Sequence, residues 1–213
     1  MICVAISEKK PEKCLEILDK VEMAEIRIDL TGYDLQTIAR IFRHPTPTIA
    51  TCRAESTGYE EQNSKLIMAI ESGAKYVDIE IEVPEDKSRE IIDVARKHGC
   101  KVIISYHNFN ETPDMKELFA IADKCYARGA EIAKIATMAN KPEDNARLMA
   151  LYSISRPVVA LGMGKQGKAS RIVAPLMGAG FTFAAQDDGA ATAPGQIKYS
   201  ELKNLMQQIE NVL

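Results

Sequence analysis

Short β-branched runs alternate with longer amphipathic ones from end to end of the chain, and no Ser/Gly-rich linker divides it. The spacing predicts strands near 2–7, 24–30, 47–53, 75–82, 101–107, 130–138, 157–162 and 181–186. Helices are predicted between them. Over 60–72 the apolar stripe is Leu66, Ile67, Ala69 and Ile70; over 85–98 it is Ile91, Ile92, Val94 and Ala95. Gly73, Gly99 and Gly129 stand where helix C-caps belong, and a last helix is expected over roughly 196–212. Parallel strands need a crossover, usually a helix, so this pattern predicts an α/β fold. Eight βα units suit a compact (β/α)8 TIM barrel forming a single domain over 1–213, with a doubly wound open sheet as the runner-up.

The strand faces favour the barrel. In an open parallel sheet covered on both sides, strands are apolar on both faces. Here Glu25, Arg27 and Asp29 alternate with Ala24, Ile26 and Ile28, and Asp78, Glu80 and Glu82 alternate with Val77, Ile79 and Ile81. Thr51 and Arg53 share a face, as do Ser105 and His107, and Lys134 is in phase with Ile132 and Ala136. The charges are therefore expected to converge in a lumen. Burying them is costly unless they pair or meet a polar ligand, so the interior predicts a small charged or hydroxylated substrate at the C-terminal ends of the strands.

With 27 basic against 30 acidic side chains and a pI near 5.7, the chain lacks the positive field on which nucleic-acid coating depends, so no nucleic-acid partner is expected. The opening MICVAISEKK turns to charge too soon for a signal peptide or membrane span, which leads us to expect no membrane partner and a cytoplasmic location. Cysteines 3, 14, 52, 100 and 125 are scattered without a C-x-x-C pair and read as buried thiols.

Lys134, in the otherwise apolar AEIAKIATM, cannot easily reach water. Desolvation and cationic neighbours are expected to lower its pKa from about 10.4 and free its lone pair to attack a carbonyl, against the plainer reading of a pairing with Glu80 or Glu82. His107 at the end of strand five suggests proton transfer, whereas His44 and His98 read as surface or capping residues. Gly162 to Gly167 formally match G-x-G-x-x-G with Asp187 downstream, but they follow strand seven, whereas a dinucleotide fingerprint opens on the first strand. A mobile, anion-holding loop is expected there, with Arg171 contacting a carboxylate. No ligand spacing around Asp78, Glu80 and Glu82 favours a metal over salt bridges.

EIRID at 25–29, TCR at 51–53, SYHNF at 105–109, KIATM at 134–138, SR at 170–171 and APGQI at 193–197 together resemble the type I 3-dehydroquinate dehydratases. The resemblance covers nearly the whole chain. It implies a cofactor-free and metal-free (β/α)8 lyase of the shikimate pathway, commonly a homodimer, that converts 3-dehydroquinate to 3-dehydroshikimate. It further implies that Lys134 forms a Schiff base and His107 is the general acid and base. Arg171 would hold the substrate carboxylate, Glu25, Arg27 and Arg53 the ring hydroxyls, Thr192 and Gln196 the other side, and Met163 the apolar part of the ring. Three positions depart from the family pattern: Thr57 stands where many members are acidic, with Glu55 as a possible substitute. Asn108 follows the histidine in place of an aspartate, so a tuning carboxylate would have to come from elsewhere, such as Glu80, and Thr192 replaces a serine.

Two other functions compete. An aldolase or transaldolase type would share the strand-six lysine but need a phosphate clamp, for which Lys165 and Lys168 are candidates; a non-catalytic anion-binding barrel would keep only the scaffold.

Overall fold

In the computed structural model, which describes residues 1–189 and 191–212, eight parallel strands curl into a nearly closed barrel. The strands are β1 (Ile2–Ile6), β2 (Met23–Arg27), β3 (Thr48–Thr51), β4 (Tyr76–Glu80), β5 (Lys101–Asn108), β6 (Ile132–Met138), β7 (Val158–Met163) and β8 (Thr182–Ala185). Their order is β7-β6-β5-β4-β3-β2-β1-β8, so the last strand returns to pair with the first. The helices are α1 (Pro11–Leu18), α2 (Ile28–Thr31), α3 (Leu35–Phe42), α4 (Ala54–Thr57), α5 (Tyr59–Glu71), α6 (Glu85–His98), α7 (Met115–Ala127), α8 (Pro142–Ala150), α9 (Gly164–Leu176) and α10 (Tyr199–Glu210).

The period-2 alternation divides the interior into two apolar regions. Outward residues such as Val4, Ile26, Ala50, Val77, Ile104 and Ile135 pack beneath the helices, while Cys3, Met23, Ile49, Ile103, Val159, Leu161, Phe181 and Phe183 fill the lower lumen. Above that floor the inward positions turn polar. Among the described residues no ladder joins β7 to β8. The seam is instead crossed by α9 and the segment before α10: Thr182 Oγ1 donates to Arg171 O (2.8 Å) and Ala185 N to Ile197 O (2.8 Å).

Several expected boundaries shift. Strand two ends at Arg27, because residues 28–31 form a helical turn closed by Gly32 at φ 73°, and Asp29 leaves the strand face. Glu82 lies beyond β4, where Val83 and Pro84 lead into α6. The expected loop after strand seven is a helix: β7 runs to Met163 and α9 begins at Gly164. The glycines there serve contact between backbones, since a Cβ on Gly167 would fall 2.3 Å from the carbonyl carbon of Gly162. The last helix starts at Tyr199, three residues late, because the Ile197 carbonyl is already engaged by β8. All five cysteines are buried and unbridged.

Candidate active site

Strand parity sends Lys134 of β6 inward, and β-sheet register sets Ser105 beside it. Its Nζ donates to Asp78 Oδ2 (2.8 Å) and Glu25 Oε1 (3.2 Å) and lies 4.4 Å from the centre of the Phe183 ring. The plainer pairing with Glu80 or Glu82 is not formed. The expectation of a lowered lysine pKa is also overturned. Burial does push it down, but Asp78 and then Glu25 outweigh burial and hold the ammonium above its ordinary value.

Asp78, with no exposure, is the hub of the charged layer. It accepts from Ser105 Oγ (2.6 Å), Arg53 Nη1 (3.0 Å) and Lys134, and these cations hold its carboxyl far below the usual range despite burial. Arg53 also reaches Glu80 (3.4 Å), and Arg27 pairs with Asp29 (2.7 Å). Thr51 Oγ1 donates to Glu25 (3.0 Å).

His107 faces the same space. Burial lowers its pKa well below the ordinary imidazole value, with Arg53 and Lys134 pushing the same way and Asp78 opposing them. The carboxylate acting on it is thus Asp78, not Glu80. Asn108, one residue on, points the other way by strand parity and caps the turn through Asn110 N (2.9 Å) and Glu111 N (3.0 Å). Thr57 bonds to the carbonyls of Arg53 and Gly58, whereas Glu55 lines the cavity.

On the opposite wall Arg171 is 2% exposed. Among the described residues its Nη1 reaches only the Phe183 carbonyl (3.4 Å) and its Nε has no partner, and burial lowers its pKa to about 10. Thr192 and Gln196 bond to one another, Gln196 Nε2 donating to Thr192 Oγ1 (3.1 Å). The loop that carries them rests on the head of α9, where Gly164 N donates to Pro194 O (3.1 Å).

Glu25, Arg27, Arg53, His107, Lys134, Met163, Arg171, Thr192 and Gln196 all line one cavity of about 250 Å³, below the range of roughly 300–1,000 Å³ common for drug-sized ligands. Sequence reasoning did not single out Phe183 or assign Asp78 to the site. The alternation FTF and the phase of VDIE carried both signals. Lys165 and Lys168, which a phosphate clamp would use, are absent from the lining among the described residues, and Asp187 instead receives Ser200 N (3.0 Å) at the start of α10.

The family model for type I 3-dehydroquinase matches residues 2–212. A 3-dehydroquinate dehydratase of Methanococcus vannielii is 35% identical over 227 residues, covering 99% of this chain and all of its own. One from Methanococcoides burtonii is 35% identical over 221 residues, covering 98% of this chain and 94% of its own. Among solved structures, a type I 3-dehydroquinate dehydratase from Clostridium difficile with covalently modified comenic acid superposes with a TM-score of 0.85 at 25% identity. It covers 100% of this chain and 92% of its own.

Proposed function

This chain belongs to the type I 3-dehydroquinase family of hydro-lyases, and from that premise we propose that it converts 3-dehydroquinate to 3-dehydroshikimate and water through a Schiff base on Lys134. One observation carries the reading: a buried lysine, an imidazole and a buried guanidinium with no carboxylate partner among the described residues share a cavity of small-metabolite size.

The Lys134 ammonium must first lose a proton. Asp78 is too weakly basic to take it, whereas unprotonated His107 has a free lone pair that can accept it transiently and pass it on. The amine then adds to the C3 ketone, and the carbinolamine hydroxyl leaves as water with the proton His107 returns, forming the iminium. The iminium draws the electrons of the C2–H bond, His107 removes that proton, and the enamine expels the C1 hydroxyl as His107 protonates it. Water hydrolyses the product imine and restores the amine. The protein nitrogen supplies the electron sink, so this sequence calls on no cofactor or metal.

Arg171, lacking a carboxylate partner among the described residues, would take the substrate's carboxylate in a bidentate contact. Glu25, Arg27 and Arg53 would bind ring hydroxyls, Thr192 and Gln196 would close the far side, and Met163 would pack on the ring carbons. Among the described residues no helix is long and apolar enough to cross a membrane; cytoplasmic location and a homodimer are part of the same proposal. Borohydride reduction with 3-dehydroquinate, followed by peptide mass mapping, is expected to place the adduct on Lys134. No adduct there would remove the mechanism.

A further inference from the structure

Phe109 is 61% exposed at the cavity mouth, where burial explains nothing about so large an apolar side chain. Strand parity accounts for where it points. His107 faces in, Asn108 faces out and is tied to the following turn, and Phe109 returns to the side of the imidazole. The rings lie nearly parallel, 13° between planes with centroids 6.2 Å apart, in the range of an offset stack. Among the described residues, the His107 ring makes no hydrogen bond. A general base normally has its ring oriented by a carboxylate or carbonyl.

We propose that Phe109 is the positioning residue for His107, fixing the imidazole plane by stacking and keeping water from one face. The proposal rests on His107 being the base of the Schiff-base reaction. The ring substitutes geometrically for a hydrogen-bonded orienter: it limits rotation of the imidazole without competing for either nitrogen, so the same histidine remains free to accept a proton from C2 and give it to the leaving hydroxyl. The charges facing His107 are Arg53 beyond β3, Lys134 on β6, Arg27 on β2 and Asp78 on β4. Glu55, Glu80 and Glu82 line the adjoining cleft. A substitution at position 109 alters none of them.

The test compares Phe109→Leu and Phe109→Tyr with the wild type, using 3-dehydroquinate. Phe109→Leu is expected to lower kcat by about 10- to 100-fold, the scale of a misplaced catalytic group, with KM changed far less. Its acid limb in kcat/KM should move to higher pH as water reaches the imidazole, while borohydride still traps the adduct on Lys134. Phe109→Tyr should restore both kcat and the limb. A Phe109→Leu enzyme with kcat near the wild-type value and an unmoved limb overturns the proposal, as does a rise in KM alone, which would make Phe109 a substrate contact. If the wild type itself yields no adduct, the Schiff-base reading fails first; an adduct with an indifferent Phe109→Leu sinks this inference alone. Because position 109 is mostly exposed, thermal unfolding of the variants should match the wild type, and a shared loss of stability and kcat that Tyr does not rescue also counts against it.

Discussion

Asp78 Oδ2 and Lys134 Nζ are held 2.8 Å apart across the lumen, with the carboxylate wholly buried and the lysine 5% exposed. Two buried charges at this distance are costly to desolvate and far costlier to leave alone. The pair therefore keeps the reactive nitrogen centred in the barrel, but it also keeps it protonated until substrate arrives.

Asp78→Asn should lower unfolding free energy by about 3–5 kcal/mol, the cost of breaking a buried ion pair from one side, seen as a lower urea midpoint with unchanged slope. The Lys134 amine should also titrate at lower pH, read from the pH dependence of borohydride trapping. Combining it with Lys134→Met should recover part of the lost stability, since both charges are then gone. Additive losses in the double variant would mean the pair is not coupled.

His107 gives the fold a dependence on mild acid. Its folded pKa is depressed, so below the unfolded value of about 6.5 the unfolded chain binds a proton that the native chain refuses. The contribution is fully present above that pH and is lost as pH falls toward the folded value. Glu80 and Glu82, whose pKa values burial raises, act in the opposite direction. The difference between wild type and His107→Gln isolates the imidazole: urea midpoints from pH 7.5 to 5 should fall more steeply in the wild type. Parallel curves would show that His107 is not held neutral.

Much of this was legible in the chain because a barrel strand has one face under helices and one in the lumen. The alternation in AEIRID, VDIE and ISYH therefore announced both the fold and the charged interior. The same period placed Asp29 and Glu82 on strands that in fact end earlier, because Gly32 and Pro84 turn the chain there. The lysine pKa could not be read from AEIAKIATM. Its sign depends on Glu25 and Asp78, which lie 109 and 56 residues away and come within reach only when the barrel closes. The glycines after β7 suggested mobility but instead permit backbone contact, a distinction that depends on what lies opposite.

Arg171 illustrates a cost accepted for binding. Its guanidinium is buried with no carboxylate in direct contact among the described residues, and burial outweighs the pull of Glu25, which lowers its pKa to about 10 and destabilises the empty protein. Arg171→Met should therefore raise the melting temperature by a few degrees, consistent with the usual trade between stability and a preorganised site. KM for 3-dehydroquinate should rise by about 10²-fold or more, reflecting loss of a charge-assisted bidentate contact. A variant that is less stable, with unchanged KM, would show that the arginine serves the fold instead.

Two glycines on either side of the α9 head separate packing from binding. A Cβ on Gly167 would press into the Gly162 backbone at 2.3 Å, where strand and helix are both fixed, so Gly167→Ala should cost about 1–3 kcal/mol or more of stability through overpacking. A Cβ on Gly195 would fall 2.2 Å from Gly164 O, and its φ of 77° is strained for any other residue, so the substitution is expected to push this segment off the head of α9. Gly195→Ala should then carry Thr192 and Gln196 with it. The expected result is a KM raised about 10-fold with a melting temperature within a few degrees of the wild type, the reverse of the Gly167→Ala phenotype. If Gly195→Ala instead unfolds the protein and leaves KM alone in the surviving fraction, the loop is part of the core and not of the substrate site.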